Sequence, residues 1–189
     1  MVEVQARTGS EAEEMVVARM AAGERAALSE LYASHRGPLL GYLRSFVDDP
    51  GLAEEVLQDT LYAAWTGAAA YGGRASVRAW LLGIARRRAH DALRRRAIRV
   101  VTGDVLESLP NPEPELESLA LAGAEIERVR TALARLRPMH REVLVLNFMQ
   151  ELPYREIAVV LGIPIGTVMS RLHHAKRALR AAIESEGRS

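Results

Sequence analysis

The sequence predicts an all-α protein built as two small helical domains joined by an acidic, proline-containing linker, the second domain carrying a helix-turn-helix. Three observations lead there. Apolar residues recur at helical spacing along most of the 189 residues, and nowhere alternate as a strand would. The stretch Pro110-Asn111-Pro112-Glu113-Pro114 cannot be a helix interior and divides the chain. Residues 152–177 combine a helix start, a glycine turn and a second amphipathic helix. The expected boundaries are 11–97 for the first domain, 98–119 for the linker and 120–184 for the second domain.

In chain order, residues 1–10 are polar and are expected to fray. A helix is expected from Glu11, with Met15, Val16, Arg19 and Met20 inward, ending at Gly23. The next runs from about Glu24 to Phe46 on Leu28, Leu31, Tyr32, Leu39, Leu40 and Leu43, with a kink or break expected at Gly37-Pro38. Asp48-Asp49-Pro50-Gly51 is a turn and a helix start. The third helix, about Leu52 to Thr66, turns Val56, Leu57, Thr60, Leu61 and Ala64 to a core and leaves an acidic face of Glu54, Glu55, Gln58, Asp59 and Tyr62. Gly67 to Ser76 reads as a loop, and Tyr71-Gly72-Gly73-Arg74 within it suits either a simple connection or a place to hold an unstacked base. Ser76 is the expected N-cap of a fourth helix using Val77, Trp80, Leu81 and Ile84, which continues as a cationic rod. Past the linker, a helix on Ile126, Val129, Leu133 and Leu136 precedes one started by Pro138, with Val143, Leu144, Leu146 and Phe148 inside.

The formal net charge is only +1, but the charges are segregated. From Arg74 to Arg99 there are nine Arg against the single acid Asp91. From Val100 to Leu119 there are five acids and no base, and from residue 120 onward eleven bases against seven acids. Two basic blocks separated by an acidic spacer suggest two polyanion-binding surfaces.

The second block centres on the helix-turn-helix. Pro153 suits a first helical position, Ile157, Val160 and Leu161 line one face, and Gly162 stands where a left-handed residue ends a helix. Pro164 starts the next helix, whose Val168, Leu172, Ala175 and Leu179 fall on one stripe. Ser170, His173, His174 and Arg177 lie opposite, flanked by Arg171. An ordinary helical hairpin with a solvated basic face shares the apolar pattern. The agreement of start, turn, stripe and charge favours a helix that reads DNA.

Other chemistries find no support. The chain has no Cys, so there is no disulfide and no thiolate metal site. The five His make no ligand motif, and no Gly-rich phosphate cradle or activated nucleophile stands out, so neither metal, cofactor nor catalysis is expected. An acidic N-terminus without an apolar core segment is no signal peptide, and no run reaches membrane-spanning length, so a cytoplasmic protein without membrane insertion is expected.

From roughly Glu14 to Ile183 the chain resembles the extracytoplasmic-function (group 4) sigma factors of bacterial RNA polymerase. The resemblance rests on Leu136-x-Pro138-x-x-Arg141-Glu142-Val143, on Tyr154-Arg155-Glu156-Ile157-Ala158, and on Gly162-Ile163-Pro164-Ile165-Gly166-Thr167-Val168-x-Ser170-Arg171-Leu172. It rests also on Ala53 to Thr60, similar to region 2.2, and on Ala79 to Arg86 with Asp91-x-Leu93-Arg94-Arg95, similar to regions 2.3 and 2.4. It implies a transcription initiation factor, not an enzyme. In that family the first domain binds core polymerase and opens the −10 element, and the second reads the −35 element.

Carried onto this chain, the resemblance places core-polymerase binding at Glu54, Glu55, Gln58 and Asp59. It places −10 contacts at Tyr71, Arg74, Arg87, Arg94 and Arg95, and −35 contacts at Thr167, Met169, Ser170, Arg171, His173, His174 and Arg177. Met169 and His174 depart from the basic residues frequent there, and Leu61-Tyr62 from the usual Phe-Leu. Many such factors are held by an anti-sigma protein, and nothing in the sequence identifies one here. The rival readings are a sigma-like decoy that binds only an anti-sigma protein, a stand-alone helix-turn-helix regulator, and a DNA-processing enzyme.

Overall fold

The computed structural model describes residues 2–101, 129 and 131–186, and no strand occurs among them. The chain divides into two compact units, residues 1–108 with 159–162, and residues 109–158 with 163–189. The acidic segment 104–119 and Ile126 lie outside the described residues.

The first unit is a cluster of four helices: α1 (Val2–Ala21), α2 (Arg25–Arg44), α3 (Pro50–Gly67) and α4 (Val77–Val101). Helix α3 packs on both α2 and α4, and α1 lies on α2. Helix α1 starts well before Glu11 and runs through Gly9, with no proline in residues 2–10 to stop it. Its inward residues are Val17 and Met20; Met15, expected inside, is 65% exposed. Gly23 adopts φ +86, and its N–H donates to Met20 O (2.9 Å) while Glu24 N–H donates to Arg19 O (3.1 Å), a Schellman closure. The Arg19 guanidinium then binds Glu24 and, at 2.8 Å, Glu30, tying α1 to α2.

Helix α2 runs through Pro38 without a break. Leu31, Leu39, Leu40 and Leu43 are buried as expected, together with Ala27, His35 and Tyr42, whereas Leu28 is half-buried and Tyr32 is turned out. Asp49 caps α3, accepting from Gly51 N–H (2.9 Å) and Leu52 N–H (3.2 Å), and Pro50 follows where its missing N–H costs nothing. The inner face of α3 is Val56, Leu57, Thr60, Leu61 and Ala64, as the spacing predicts. The Ser76 hydroxyl accepts from Ala79 N–H (3.2 Å) at the start of α4. Val77, Leu81 and Ile84 enter the core, and Ala89 and Ala92 let the basic half of α4 pack closely. The helix extends past Ala97 to Val101, into what the sequence assigns to the linker.

The second unit holds a short helical stretch at 131–134, then α5 (Pro138–Leu144), α6 (Tyr154–Leu161) and α7 (Ile165–Glu186). Ala132 and Leu136 are buried, Leu133 is half-buried, and Val129, expected inside, is 40% exposed. The Arg141 guanidinium donates to the carbonyls of Leu133 (2.9 Å), Ala134 and Leu136 (3.4 Å), satisfying acceptors that a helix end leaves open. After α5 the backbone widens into a π-helical turn, Val145–Met149, closed by Gln150 N–H to Val145 O at 3.0 Å. The extra residue in this turn shifts the helical phase. Val145 and Leu146 stay buried, and Phe148, expected inside, emerges at 59% exposure.

Candidate nucleic-acid interface

The turn between α6 and α7 sets the angle at which α7 leaves α6. Gly162 takes φ +66, with Gly162 N–H to Val159 O (3.3 Å) and Ile163 N–H to Ala158 O (3.1 Å), the same closure that ends α1. A side chain at that φ would be strained, so the glycine permits the turn. The Pro164 carbonyl accepts from Thr167 N–H (2.9 Å) and Val168 N–H (3.2 Å), launching α7.

Along α7, Val168, Leu172 and Ala175 are fully buried and Leu179 is half-buried. Met169, Ser170, His173, His174 and Arg177 are exposed, and Thr167 and Arg171 sit half-buried on the flanks. The seven residues expected at the −35 element therefore lie together, opposite the stripe that packs on the unit. Lys176 stays beside them, its Nζ 5.2 Å from the centroid of the Phe148 ring. Arg137 and His140, which no sequence motif singles out, line a shallow groove with His174 and Arg177.

In the first unit the basic face of α4 separates into two kinds of arginine. Arg87, Arg94 and Arg95 are exposed, and Arg94 lies 3.6 Å from Asp91 across one helical turn. Arg96 instead turns in and donates at 2.5 Å to Asp49, the N-cap of α3. That hydrogen bond, with the backbone N–H of Leu52 behind it, holds the Asp49 carboxyl below the usual carboxylate range. The partners are 47 residues apart, so no local pattern could have revealed the pair.

Before α4, Ala68–Ala70 form a single 3₁₀ turn, and Gly73 takes φ +63. The Tyr71 ring lies 5.0 Å from that of Trp80, and its hydroxyl donates to Ala75 O at 2.7 Å. Tyr71 thus pins the loop to α4 while staying half-exposed, and Arg74 projects freely from the surface. From Arg74 to Arg95 the expected −10 contacts spread along about 30 Å of chain. No single nucleotide can touch them all, and a strand would have to run along the helix.

On α3, Glu55 and Gln58 are exposed and Asp59 is half-exposed. Glu54 is engaged internally, 3.1 Å from Arg36 Nη2 and 3.8 Å from Arg44 Nη2. Tyr62, one turn on from Gln58 and Asp59, is 69% exposed and extends this face. Among the described residues, no three His, Cys, Asp or Glu side chains gather as a metal site, and no single helix is long and apolar enough to cross a membrane.

Two family models match the chain: "Sigma-70 region 2" over residues 31–98 and "Sigma-70, region 4" over residues 126–179. The ECF RNA polymerase sigma factor SigL of Mycobacterium tuberculosis is 36% identical over 172 residues, covering 90% of this chain and 97% of SigL. The sigma factor CnrH of Cupriavidus metallidurans is 30% identical, covering 93% and 96%. Among solved structures, that of CnrH with the cytosolic domain of CnrY superimposes with a TM-score of 0.70 at 28% identity, covering 92% of this chain and 98% of the other. RpoE of Bartonella quintana, solved with the anti-sigma factor NepR, gives a TM-score of 0.68 at 25% identity, covering 82% and 96%.

Proposed function

Because this chain belongs to the extracytoplasmic-function sigma factors of the sigma-70 family, we propose a division of labour among its exposed faces. The protein is a transcription initiation factor that binds core RNA polymerase and directs it to promoters. The acidic face of α3, at Glu55, Gln58 and Asp59 with Glu54 on its edge, meets the polymerase. Tyr71, Arg74, Arg87, Arg94 and Arg95 meet the −10 element. The exposed face of α7, from Thr167 to Arg177, enters the major groove at the −35 element.

The observation that carries the −35 assignment is the split of α7. Its apolar stripe is buried, so the side that remains is polar, cationic and presented just after a helix-turn-helix turn. Arg171 is the residue suited to bidentate pairing with guanine O6 and N7, and Ser170, His173, His174 and Arg177 reach base edges or phosphates around it. The domain limits that fit this division are 11–97 and 120–184, with 98–119 between them. The protein performs no catalysis of its own, and its site of action is the cytoplasm, where the polymerase is. An anti-sigma protein is a further partner on this reading, as NepR is for the Bartonella RpoE.

Run-off transcription with purified core polymerase tests the proposal. Transcripts that need both this protein and an intact promoter support it. Tight binding of an anti-sigma protein without any promoter-dependent transcript would make the chain a decoy.

A further inference from the structure

We propose that Arg137, His140, His174 and Arg177 form a subsite for one backbone phosphate of promoter DNA beside the −35 element. The inference rests on the −35 assignment to α7 and extends it to residues outside that helix.

The groove is about 590 Å³, open to solvent, and lined by these four side chains and Ala178. Arg137 and His140 come from the start of α5, and His174 and Arg177 from α7, so two separate elements deliver the same kind of group to one place. None of the four makes an ion pair among the described residues. Several other cations of the chain are paired, Arg19 with Glu24 and Glu30, Arg36 with Glu54 and Arg96 with Asp49. Arg137 and Arg177, with two imidazoles beside them and no carboxylate in the groove, leave a positive field uncompensated until an anion arrives.

Shape and position identify the anion. A small-molecule site would enclose its ligand, whereas this groove is open, as suits a phosphate that remains part of a strand. Two of its four residues belong to the α7 face assigned to the major groove, and phosphates flank the base edges such a face reads. The groups facing His140 are Arg137 from its own element and His174, Arg171 and Arg177 from α7; His173 stands behind His174, ring centroids 5.5 Å apart. Burial first, then Arg137, His174 and Arg171, hold the His140 imidazole below the ordinary histidine range, and a phosphate in the groove acts against that shift.

The experiment measures promoter-duplex binding by holoenzyme, made with core polymerase and either wild type or Arg137→Ala/His140→Gln, over a salt series. The expected result for the variant is the same fold loss on every −35 sequence and a salt slope lower by about 0.9 for one duplex phosphate. An uncharged methylphosphonate at one position flanking the −35 element should weaken the wild type and leave the variant unaffected. Both residues are outside the core, and a melting temperature equal to wild type confirms that the variant is folded. A variant matching wild type in salt slope overturns the subsite alone. So does a loss already present in binding to core polymerase without DNA, which assigns the groove to a protein surface. A wild type with no −35 preference overturns the promoter reading itself, and the subsite with it.

Discussion

Arg96 and its three exposed neighbours should separate in two different measurements. In Arg87→Ala/Arg94→Ala/Arg95→Ala, three exposed guanidinium groups leave a helix face, and among the described residues only Arg94 of the three has an acid nearby, Asp91, 3.6 Å away and itself exposed. An exposed pair of that kind is worth about 0–1 kcal/mol, so the triple variant should melt close to wild type. Its promoter complexes should change sharply. If each arginine meets one phosphate, log K against log salt should flatten by about 2.1 for single-stranded contacts and about 2.7 for duplex ones. Arg96→Ala should behave in the opposite way. It removes the partner of the carboxylate that caps α3, at about one-third side-chain exposure on both sides. The cap to Gly51 and Leu52 remains, so the loss is that of a partly screened pair, about 1 kcal/mol, with an unchanged salt slope. The assay is fluorescence binding of holoenzyme to a −10 promoter fragment over a salt series, beside thermal unfolding of the free protein. A triple variant with the wild-type slope would make those arginines a solvated helix end. A lower slope for Arg96→Ala would mean that its contact with Asp49 yields to DNA.

Further outcomes rest on single contacts. Tyr71→Phe keeps the ring beside Trp80 and loses the hydroxyl's hydrogen bond to Ala75 O, and it should open promoters nearly as well as wild type, while Tyr71→Ala should impair opening of duplex promoter more than binding to a pre-melted one; equal loss on both templates would give Tyr71 a folding role alone. Glu55→Arg/Asp59→Arg should weaken binding to core polymerase by fluorescence titration at unchanged melting temperature, whereas Glu54→Arg should also destabilise, since it faces Arg36 and Arg44; unchanged core affinity for the first variant would remove this face from the interface. Asp49 has a folded-state pKa below its unfolded value, so its contribution is full above about pH 4 and is lost as pH falls through the folded pKa. Asp49→Asn should therefore be less stable than wild type at neutral pH and lose less on acidification, read by thermal melts over a pH series, and parallel acid limbs would refute the linkage.

How far the fold could be read from the sequence varied with the local pattern. On α7 the apolar stripe and the polar face are set apart cleanly, and the burial of Val168, Leu172 and Ala175 follows the spacing. On α1 three consecutive apolar residues, Met15, Val16 and Val17, leave the phase open by one step, and the helix settles on Val17 with Met20. Phe148 fails for a different reason. The π-helical turn at Val145–Met149 inserts a residue into the period, and nothing in the composition announces it. Tyr32 is amphipathic, and its ring lies near the Arg36 guanidinium (6.0 Å) at the surface instead of in the core. The basic blocks were legible as charge segregation, but not which arginines within them stay exposed. Arg96 and Arg141 are engaged with an acid or carbonyls brought up by the fold, and a sequence cannot distinguish them from Arg95 or Arg177. Arg137 and His140 carry no signal in the sequence because their neighbours in the groove lie on another helix.

The claim that the exposed face of α7 reads the −35 element is tested most directly by binding wild-type and Arg171→Ala holoenzyme to a library of −35 variants. Arg171→Ala should flatten the preference at one or two adjacent base pairs by about 1–3 kcal/mol and keep the rest of the motif. A uniform loss over every −35 sequence, or a lower melting temperature with the preference intact, would contradict it.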